Sequence, residues 1–295
     1  MTNAHISLPR LLLSLGLIAV AIALSRRSRL GLEGDLICGA LRGAAQLIAI
    51  GYVLILLFNH EHPAWVVLLL AVMLIAAAAT SARRVEHGPP GSVLFPRAIA
   101  AIGAGALVAL VPVFAAVVPL HPWYEARYVV PISGMMLSNA MNVVALVFER
   151  IFASASSEAD QIEALLALGA TPRQALEPQV RATLRASFLP TINGLLTVGL
   201  VALPGMMTGQ IVSGTAPEQA VRYQIVILYQ LVAVAAVSGL VAVAFARRLL
   251  FTARAQLVVP PAAGTSPPRR RSSARKRRSS DRGRFARSGA VILRR

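Results

Sequence analysis

The chain has 295 residues, of which 56% are hydrophobic and only 14% are charged. A soluble globular protein is about 45–50% apolar and about 25% charged, so this composition excludes an ordinary soluble domain and indicates a membrane protein. The net charge of +17 is concentrated after Pro260, where 12 of the 29 Lys/Arg residues lie, and it does not indicate nucleic-acid binding by the folded part.

Seven runs are apolar enough to cross a bilayer, which takes about 20 residues of helix. In chain order they cover residues 8–24, 36–58, 64–80, 98–118, 129–148, 190–212 and 224–246. We therefore predict an all-α polytopic membrane protein with about seven transmembrane helices in residues 1–259. Residues 260–295 are rich in Pro, Ser and Arg, a composition that predicts a disordered basic tail.

The connections between these runs predict the orientation, because Lys and Arg are enriched on the cytoplasmic side. With the amino terminus outside, the inner connections 25–35, 81–97 and 149–189 carry ten arginines, and the outer pieces carry three. We expect a multi-pass protein of the inner (plasma) membrane whose tail and segment 149–189 are cytoplasmic.

Segment 149–189 contains the pattern of two helices joined by a sharp turn. Ser156 or Ser157 is a candidate cap for the first helix, and Gly169 can end it in a left-handed conformation. Thr171 can cap a second helix that has Pro172 at its first position. We call residues 163–175 the elbow.

The elbow has two possible roles. It can fit a groove on a cytoplasmic partner, or it can be a surface loop that only links two spans. A link needs only a few residues, so about forty residues with caps and a turn favour the first role.

Several motifs resemble those of a known family. Glu163-Ala164 followed by Gly169 is similar to the cytoplasmic loop of ATP-binding-cassette (ABC) importer permeases, although Leu189-Pro190 comes too late for that loop. The fuller resemblance, over about residues 8–259, is to the FetB-type iron-export permeases and the plant aluminium-sensitivity permeases. It rests on QLIAIGYVL (46–54), PISGMMLSNAM (131–141), LGATPRQA (168–175), VGLVALPGMMTGQI (198–211), AVRYQIVI (220–227) and RAQLVV (254–259).

The resemblance implies a permease subunit that exports iron or a similar metal. It implies two permease chains and two ATPase chains in each transporter, with the elbow docked on the ATPase. The coupling residues would be Glu163, Gly169, Ala170, Thr171 and Pro172.

The chain lacks the lysine motif of a standard ATPase. Its single lysine, Lys276, lies in SARKRRSS without the glycines that hold nucleotide phosphates. We expect no cofactor on this chain and ATP with Mg²⁺ on the partner subunit. An ATPase-independent channel or secondary carrier is the alternative, though the absence of Asp and Glu from the predicted spans disfavours a coupled carrier. A membrane enzyme is disfavoured, because the spans contain no nucleophile–base set.

Two polar stretches within the spans are candidates for the translocation path. Polar groups inside a membrane mark either a substrate path or hydrogen bonds between helices, and both readings stay open. The first stretch contributes Ser133, Met135, Met136, Ser138, Asn139 and Asn142, and the second contributes Pro204, Gly205, Met206, Met207 and Gln210. Pro204 is expected to kink its helix in mid-span.

Metal ligands cannot be assigned from the sequence. The outer loop NHEHP offers His60, Glu61 and His62, but neighbouring side chains in an extended loop diverge, so we favour a solvated loop.

Overall fold

The computed structural model describes residues 8–59, 62–118 and 122–258, with side chains described from Leu15 onward. The predicted tail, 260–295, lies outside these residues. The regular elements of the described ranges are all helical. They are α1 (Leu8–Arg27), α2 (Glu33–Asn59), α3 (Pro63–Arg83), α4 (Gly91–Pro112) with a π-helical turn (Val113–Val117), α5 (Ala126–Ser157), α6 (Ala159–Ala167), α7 (Pro172–Ala175), α8 (Glu177–Thr197), α9 (Gly205–Val212) and α10 (Pro217–Leu250).

The all-α membrane class is confirmed. Five helices are long and apolar enough to cross a bilayer, namely α2, α3, α4 with its π-helical turn, α5 and α10. They correspond to the second, third, fourth, fifth and seventh predicted runs. The 20 residues of α1 match the first run, and the total number of crossings stays a prediction.

The core lies where α3, α4, α5 and α10 pack together. Phe148, Ile102 and Leu94 are fully buried there, among many alanines. Small side chains let these helices approach closely, which is how helices associate in lipid, where the solvent is as apolar as leucine. Gly105 of α4 is the tightest such point, because a Cβ on it would lie 2.0 Å from Oγ of Ser238 in α10.

Helices α5 and α10 run in the same direction. Tyr128 stacks on Tyr223 near their amino ends, with ring centroids 6.1 Å apart. Further along, Asn139 Nδ2 donates to the carbonyl oxygen of Leu231 at 2.9 Å. Because α5 and α10 run in the same direction, both begin at the same end of the bundle. The chain between them must therefore travel back to that end, and α8 and α9 make this return crossing.

The return crossing is not one continuous helix, which differs from the prediction. We call it the broken crossing. We expected one span over 190–212 with a kink inside it, but α8 ends at Thr197 and α9 begins at Gly205. Gly199 has φ +81° and turns the chain, a conformation that glycine adopts without strain. Pro204 is extended and precedes the first residue of α9, where its missing N–H costs no hydrogen bond.

The predicted start of the first elbow helix is also wrong. α5 continues through both serines, and α6 is preceded by Glu158 without a side-chain cap. Ser157 Oγ donates to the carbonyl oxygen of Ser154 instead. A serine within a helix often bonds back to the preceding turn, and this bond removes it as a cap.

Candidate functional site

The elbow turns through two complete capping motifs. Gly169 has φ +93°. Its N–H donates to Leu166 O and the N–H of Ala170 donates to Leu165 O, both at 3.0 Å, which is the Schellman pattern for ending a helix. At Thr171 a capping box follows, in which Oγ1 accepts from the N–H of Gln174 at 3.3 Å and the N–H donates to Gln174 Oε1 at 2.9 Å. The caps predicted at Gly169 and Thr171 are therefore present.

The elbow is anchored at its base and apolar at its tip. Ile162 before the turn and Leu176 after it are both fully buried. Gln179 Nε2 of α8 donates to Glu158 Oε2 at 2.8 Å and ties the two arms together. By contrast, Leu168 is 84% exposed at the tip. The tip of the anchored turn therefore presents an apolar side chain that is accessible to another molecule.

An ion-pair cluster lies just after the elbow. Glu177 accepts from Arg181 Nε at 2.9 Å, and Arg247 Nη2 of α10 lies 3.4 Å from its other oxygen. The hydrogen bond from Arg181 holds the pKa of Glu177 below its usual range. The pair with Arg181 is solvent-exposed and contributes little to stability, whereas the part-buried pair with Arg247 links the start of α8 to the end of α10.

Asn139 joins three helices at the centre of the bundle. Its Nδ2 donates to Leu231 O of α10, and its Oδ1 accepts from Thr191 Oγ1 of α8 at 3.2 Å. The predicted path residue thus uses both ends of its amide to hold neighbouring helices. This geometry fits helix packing directly, and through Thr191 it connects α5 to the helix that ends at the break.

The other candidates on α5 fall on different faces. Ser133 and Met136 are buried, with the Ser133 hydroxyl lacking a partner among the described residues, and Met135 is half-buried. Ser138 and Asn142 are exposed. Asn142 Oδ1 accepts from Arg84 Nη1 at 3.0 Å.

The candidates around the break are partly buried. Met206 packs against the core, and Met207 is half-buried beside it. Gln210 Oε1 is buried without a partner among the described residues. Gly205 and Gly209 have open space where a Cβ would be, so a second helix could approach this face of α9.

Sequence reasoning missed two buried amides of α10. Gln224 and Gln230 are 6% and 4% exposed, and their polar character within an apolar run is the signal that could have found them. Gln230 Nε2 donates to Ala109 O at 3.2 Å. In an α-helix the N–H of Val113 would donate to Ala109 O. Here it donates to Leu110 O, where the π-helical turn begins. Gln230 therefore supplies a donor to Ala109 O in its place.

The described residues contain no group of three or more His, Cys, Asp or Glu side chains placed to hold a metal ion. His62 has another role, because its Nδ1 accepts the N–H of Ala64 at 3.2 Å and caps α3. His60 and Glu61 lie outside the described residues.

The long apolar helices and the buried polar groups between them define a polytopic membrane protein. The chain belongs to the family described as the uncharacterised protein family UPF0014, whose profile matches residues 8–251.

Curated relatives support this assignment along almost their whole length. The probable iron export permease protein FetB of Escherichia coli is 34% identical over 88% of this chain and 98% of the relative. The protein ALUMINUM SENSITIVE 3 of Arabidopsis thaliana is 34% identical over 83% of this chain and 87% of the relative. The membrane protein YjkA of Bacillus subtilis is 38% identical over 83% and 96%, respectively. No solved structure matches the chain.

Proposed function

We propose that this chain is the membrane-spanning subunit of an ABC transporter that exports iron or another metal ion. A separate ATPase subunit binds the elbow from the cytoplasm, so that ATP-driven closure of the ATPase moves α5 and α8. The observation that carries the proposal is Leu168, 84% exposed at the tip of a turn whose base is fully buried. The name of the Escherichia coli relative, an iron export permease, supports the choice of cargo and direction.

The hydrogen bonds of the elbow support its role as a lever. A force applied at Leu168 reaches α6 through the Schellman bonds and α7 through the capping box. From there it reaches α8, which contacts Asn139 through Thr191. A mechanical connection therefore leads from the elbow to the centre of the bundle without passing through a flexible linker.

Two copies of the chain complete the transporter in this proposal. Ser138 and Asn142 of α5 are polar and exposed in the single chain, an unfavourable arrangement against lipid. A second copy packed on this face would cover these two side chains and place those of both copies between the subunits. The metal ion is then the cargo of a path lined by hydroxyl, amide and thioether groups, and such weak ligands suit release as well as entry.

The test is to purify the chain from its native membrane and to assay metal efflux in vesicles. An ABC ATPase, identified by its P-loop peptides, is expected to accompany the wild type, and efflux is expected to require ATP. Leu168→Asp should reduce the bound ATPase at least about 10-fold, as expected for loss of an interface anchor. Gln161→Asp is the matched control, because it adds the same charge to an exposed position of α6.

Two outcomes would contradict the proposal. The first is ATP-independent metal flux through the purified chain, which is the behaviour of a channel or secondary carrier. The second is full ATPase binding and efflux in the Leu168→Asp variant.

A further inference from the structure

Three helix ends meet around a pocket at the end of the bundle opposite the elbow. The pocket has a volume of about 290 Å³ and lies between the last turn of α2, the first turn of α3 and the start of α5. It is far from the elbow, because the 32 residues of α5 extend about 48 Å before α6 follows. We call it the polar pocket.

Two opposite charges line the polar pocket. Arg127, the second residue of α5, lies over the Phe58 ring of α2, with Cζ 5.5 Å from the ring centroid. Glu125 precedes α5, and its side chain makes no capping hydrogen bond to that helix. Tyr124 and His62 also line the pocket. The polar pocket therefore offers a guanidinium to an anion and a carboxylate to a cation.

An apolar groove of about 480 Å³ lies between α2 and α3. The described side chains that line it are all aliphatic or aromatic. Val53 and Leu57 line it from α2, one turn apart, and Trp65, Leu68 and Val72 line it from α3 at positions i, i+3 and i+7. Each set therefore lies on one face of its helix, and the groove extends about 10 Å along α3.

The polar pocket and the apolar groove are adjacent, because Leu57 lines both of them. The same apolar cluster contains Leu57, Val66 of the pocket lining and, packed against them, Leu69 of the groove lining. Trp65 in the groove and Tyr124 in the pocket are of the types that concentrate where the hydrocarbon of a bilayer meets the headgroups. The two spaces together match an amphipathic molecule with a charged end and an apolar chain.

We propose that the polar pocket and the apolar groove bind one phospholipid with an ethanolamine headgroup. Arg127 donates to the phosphate, and Glu125 accepts from the primary ammonium. An acyl chain of the lipid lies in the groove between α2 and α3. This inference goes beyond the proposed function and does not depend on it, because it needs only a chain that spans a membrane.

The two charges of the pocket decide which headgroup fits. A guanidinium matches two oxygens of a phosphate with a fixed fork of donors. The ethanolamine ammonium has N–H donors for Glu125, whereas the quaternary ammonium of choline has none. Phosphatidylglycerol carries no positive charge, so it would place its phosphate in the pocket with nothing to pair with Glu125. Zwitterionic phosphatidylethanolamine is the lipid that satisfies both charges.

A lipid bound in this position would hold α2 on the bundle. Leu57 is the one buried residue described along α2, and it lies at the junction of the pocket and the groove. The headgroup would contact α5 at Arg127, and the acyl chain would contact α2 and α3. The lipid would thus bridge three helices where few side chains of α2 pack on the protein.

The headgroup is tested by native mass spectrometry of the full chain in a mild detergent, with equal amounts of phosphatidylethanolamine, phosphatidylcholine and phosphatidylglycerol. Wild type should retain phosphatidylethanolamine at least about 10-fold more than the other two, and Arg127→Gln should lose about 10-fold, as expected for a hydrogen bond between charged groups. Arg222→Gln is the matched control. Arg222 is exposed at the same end of the bundle, beside the Tyr223 that stacks on Tyr128, but outside the pocket lining.

The groove is tested by filling it. Val53→Trp and Leu68→Trp each place an indole in the space for the acyl chain, and both should reduce binding of phosphatidylethanolamine about 10-fold, as for loss of a well-packed apolar contact. Val67→Trp is the matched control, because Val67 is 54% exposed on another face of α3, outside the groove lining. This variant should bind like the wild type.

Glu125→Gln tests selectivity in place of affinity. Without the carboxylate charge, phosphatidylglycerol should bind as well as phosphatidylethanolamine. Because Glu125 makes no side-chain cap on α5, the substitution removes no hydrogen bond that holds the helix. A retained preference for phosphatidylethanolamine in this variant would contradict the assigned role of the carboxylate.

Three further outcomes would overturn the inference. The first is equal binding of the three lipids by the wild type. The second is wild-type binding in Arg127→Gln or in both tryptophan variants of the groove. The third is binding of glycerophosphoethanolamine, the same headgroup without acyl chains, as tightly as the lipid, because the groove would then have no occupant. None of these measurements involves an ATPase, so their failure leaves the proposed function untouched.

Discussion

His87, in the connection between α3 and α4, is bound to Glu149 near the end of α5. Nδ1 of the ring lies 2.8 Å from Glu149 Oε1, and Oε2 accepts the N–H of Glu86 at 2.7 Å. One carboxylate therefore holds both the ring and the backbone of the connection. The hydrogen bond that the His87 ring donates to Glu149, together with the negative charge of Glu149, raises the pKa of His87 above its ordinary value.

This contact predicts a pH dependence of local stability. Because the pKa of His87 is raised in the folded protein, its contribution is fully present below about pH 6.5, the ordinary value, and is lost as the pH rises through the folded pKa. The protection factors of the Glu86 and His87 amides, which compare the observed exchange with the intrinsic rate at each pH, should fall over that pH range. In the His87→Gln variant this pH dependence should disappear, and an unchanged profile would show that another group is responsible.

The contact between Gly105 and Ser238 predicts that α4 and α10 cannot tolerate one added methyl group. In Gly105→Ala the new Cβ would meet Ser238 Oγ at 2.0 Å and the backbone oxygen of Val234 at 3.0 Å. A different serine rotamer does not relieve the second contact. We expect a loss of about 1–3 kcal/mol in the free energy of unfolding, as for other overpacked cores.

The control for this substitution lies half a turn away. A Cβ on Gly103 would have only Leu74 Cδ2 near it, at 3.9 Å, so Gly103→Ala should be tolerated. Thermal unfolding in detergent checks both variants. Equal melting temperatures for them would show that α4 and α10 are further apart than described.

Gly169 provides a test of the backbone geometry of the elbow. Gly169→Val places a β-branched residue at φ +93°, which costs roughly 1–2 kcal/mol and should unwind the turn. Gly169→Asn is the matched control, because asparagine adopts left-handed conformations more readily. Valine is expected to abolish ATP-dependent efflux with insertion intact, and asparagine to retain most of it. Equal efflux from both variants would mean that the geometry of the turn does not matter.

Asn139 provides a test of packing against transport at the bundle centre. Asn139→Ala removes the hydrogen bonds to Leu231 and Thr191 and should cost about 0.6–1.7 kcal/mol, the usual range for hydrogen bonds between membrane helices. Thr191→Val removes only one of them. If Asn139 also contacts the metal ion, Asn139→Ala should lower efflux far more than Thr191→Val does at matched stability. Efflux that follows stability in both variants would assign the residue to packing alone.

The elbow was predictable because its determinants are local. A glycine that must turn left-handed, a threonine cap and a proline at the first helical position each act within a few residues, and all three are found where the sequence predicts them. The exposure of Leu168 was not predictable, because it depends on which face of α6 the rest of the bundle covers.

The broken crossing between α8 and α9, in contrast to the elbow, was not predictable from hydropathy. Hydropathy treats residues 190–212 as one run, since the side chains are apolar whether or not the backbone is helical. Gly199 and the extended Pro204 interrupt it through backbone geometry. Likewise, Ser133 and Ser138 look equivalent in the sequence, yet one is buried and the other exposed, because the packing of α5 against its neighbours decides the faces.

Helix α2 has a different relationship to the bundle from that of its neighbours. Leu57, near its carboxyl end, is the one buried residue described along its 27 positions. Most of α2, including the exposed Leu41, Leu47 and Tyr52, therefore depends on surrounding acyl chains or a neighbouring protein for solvation. In a harsh short-chain detergent, α1 and α2 should dissociate from the bundle or be cleaved by protease well before the remaining helices unfold. The choice of detergent will therefore decide whether these two helices stay packed on the rest of the protein.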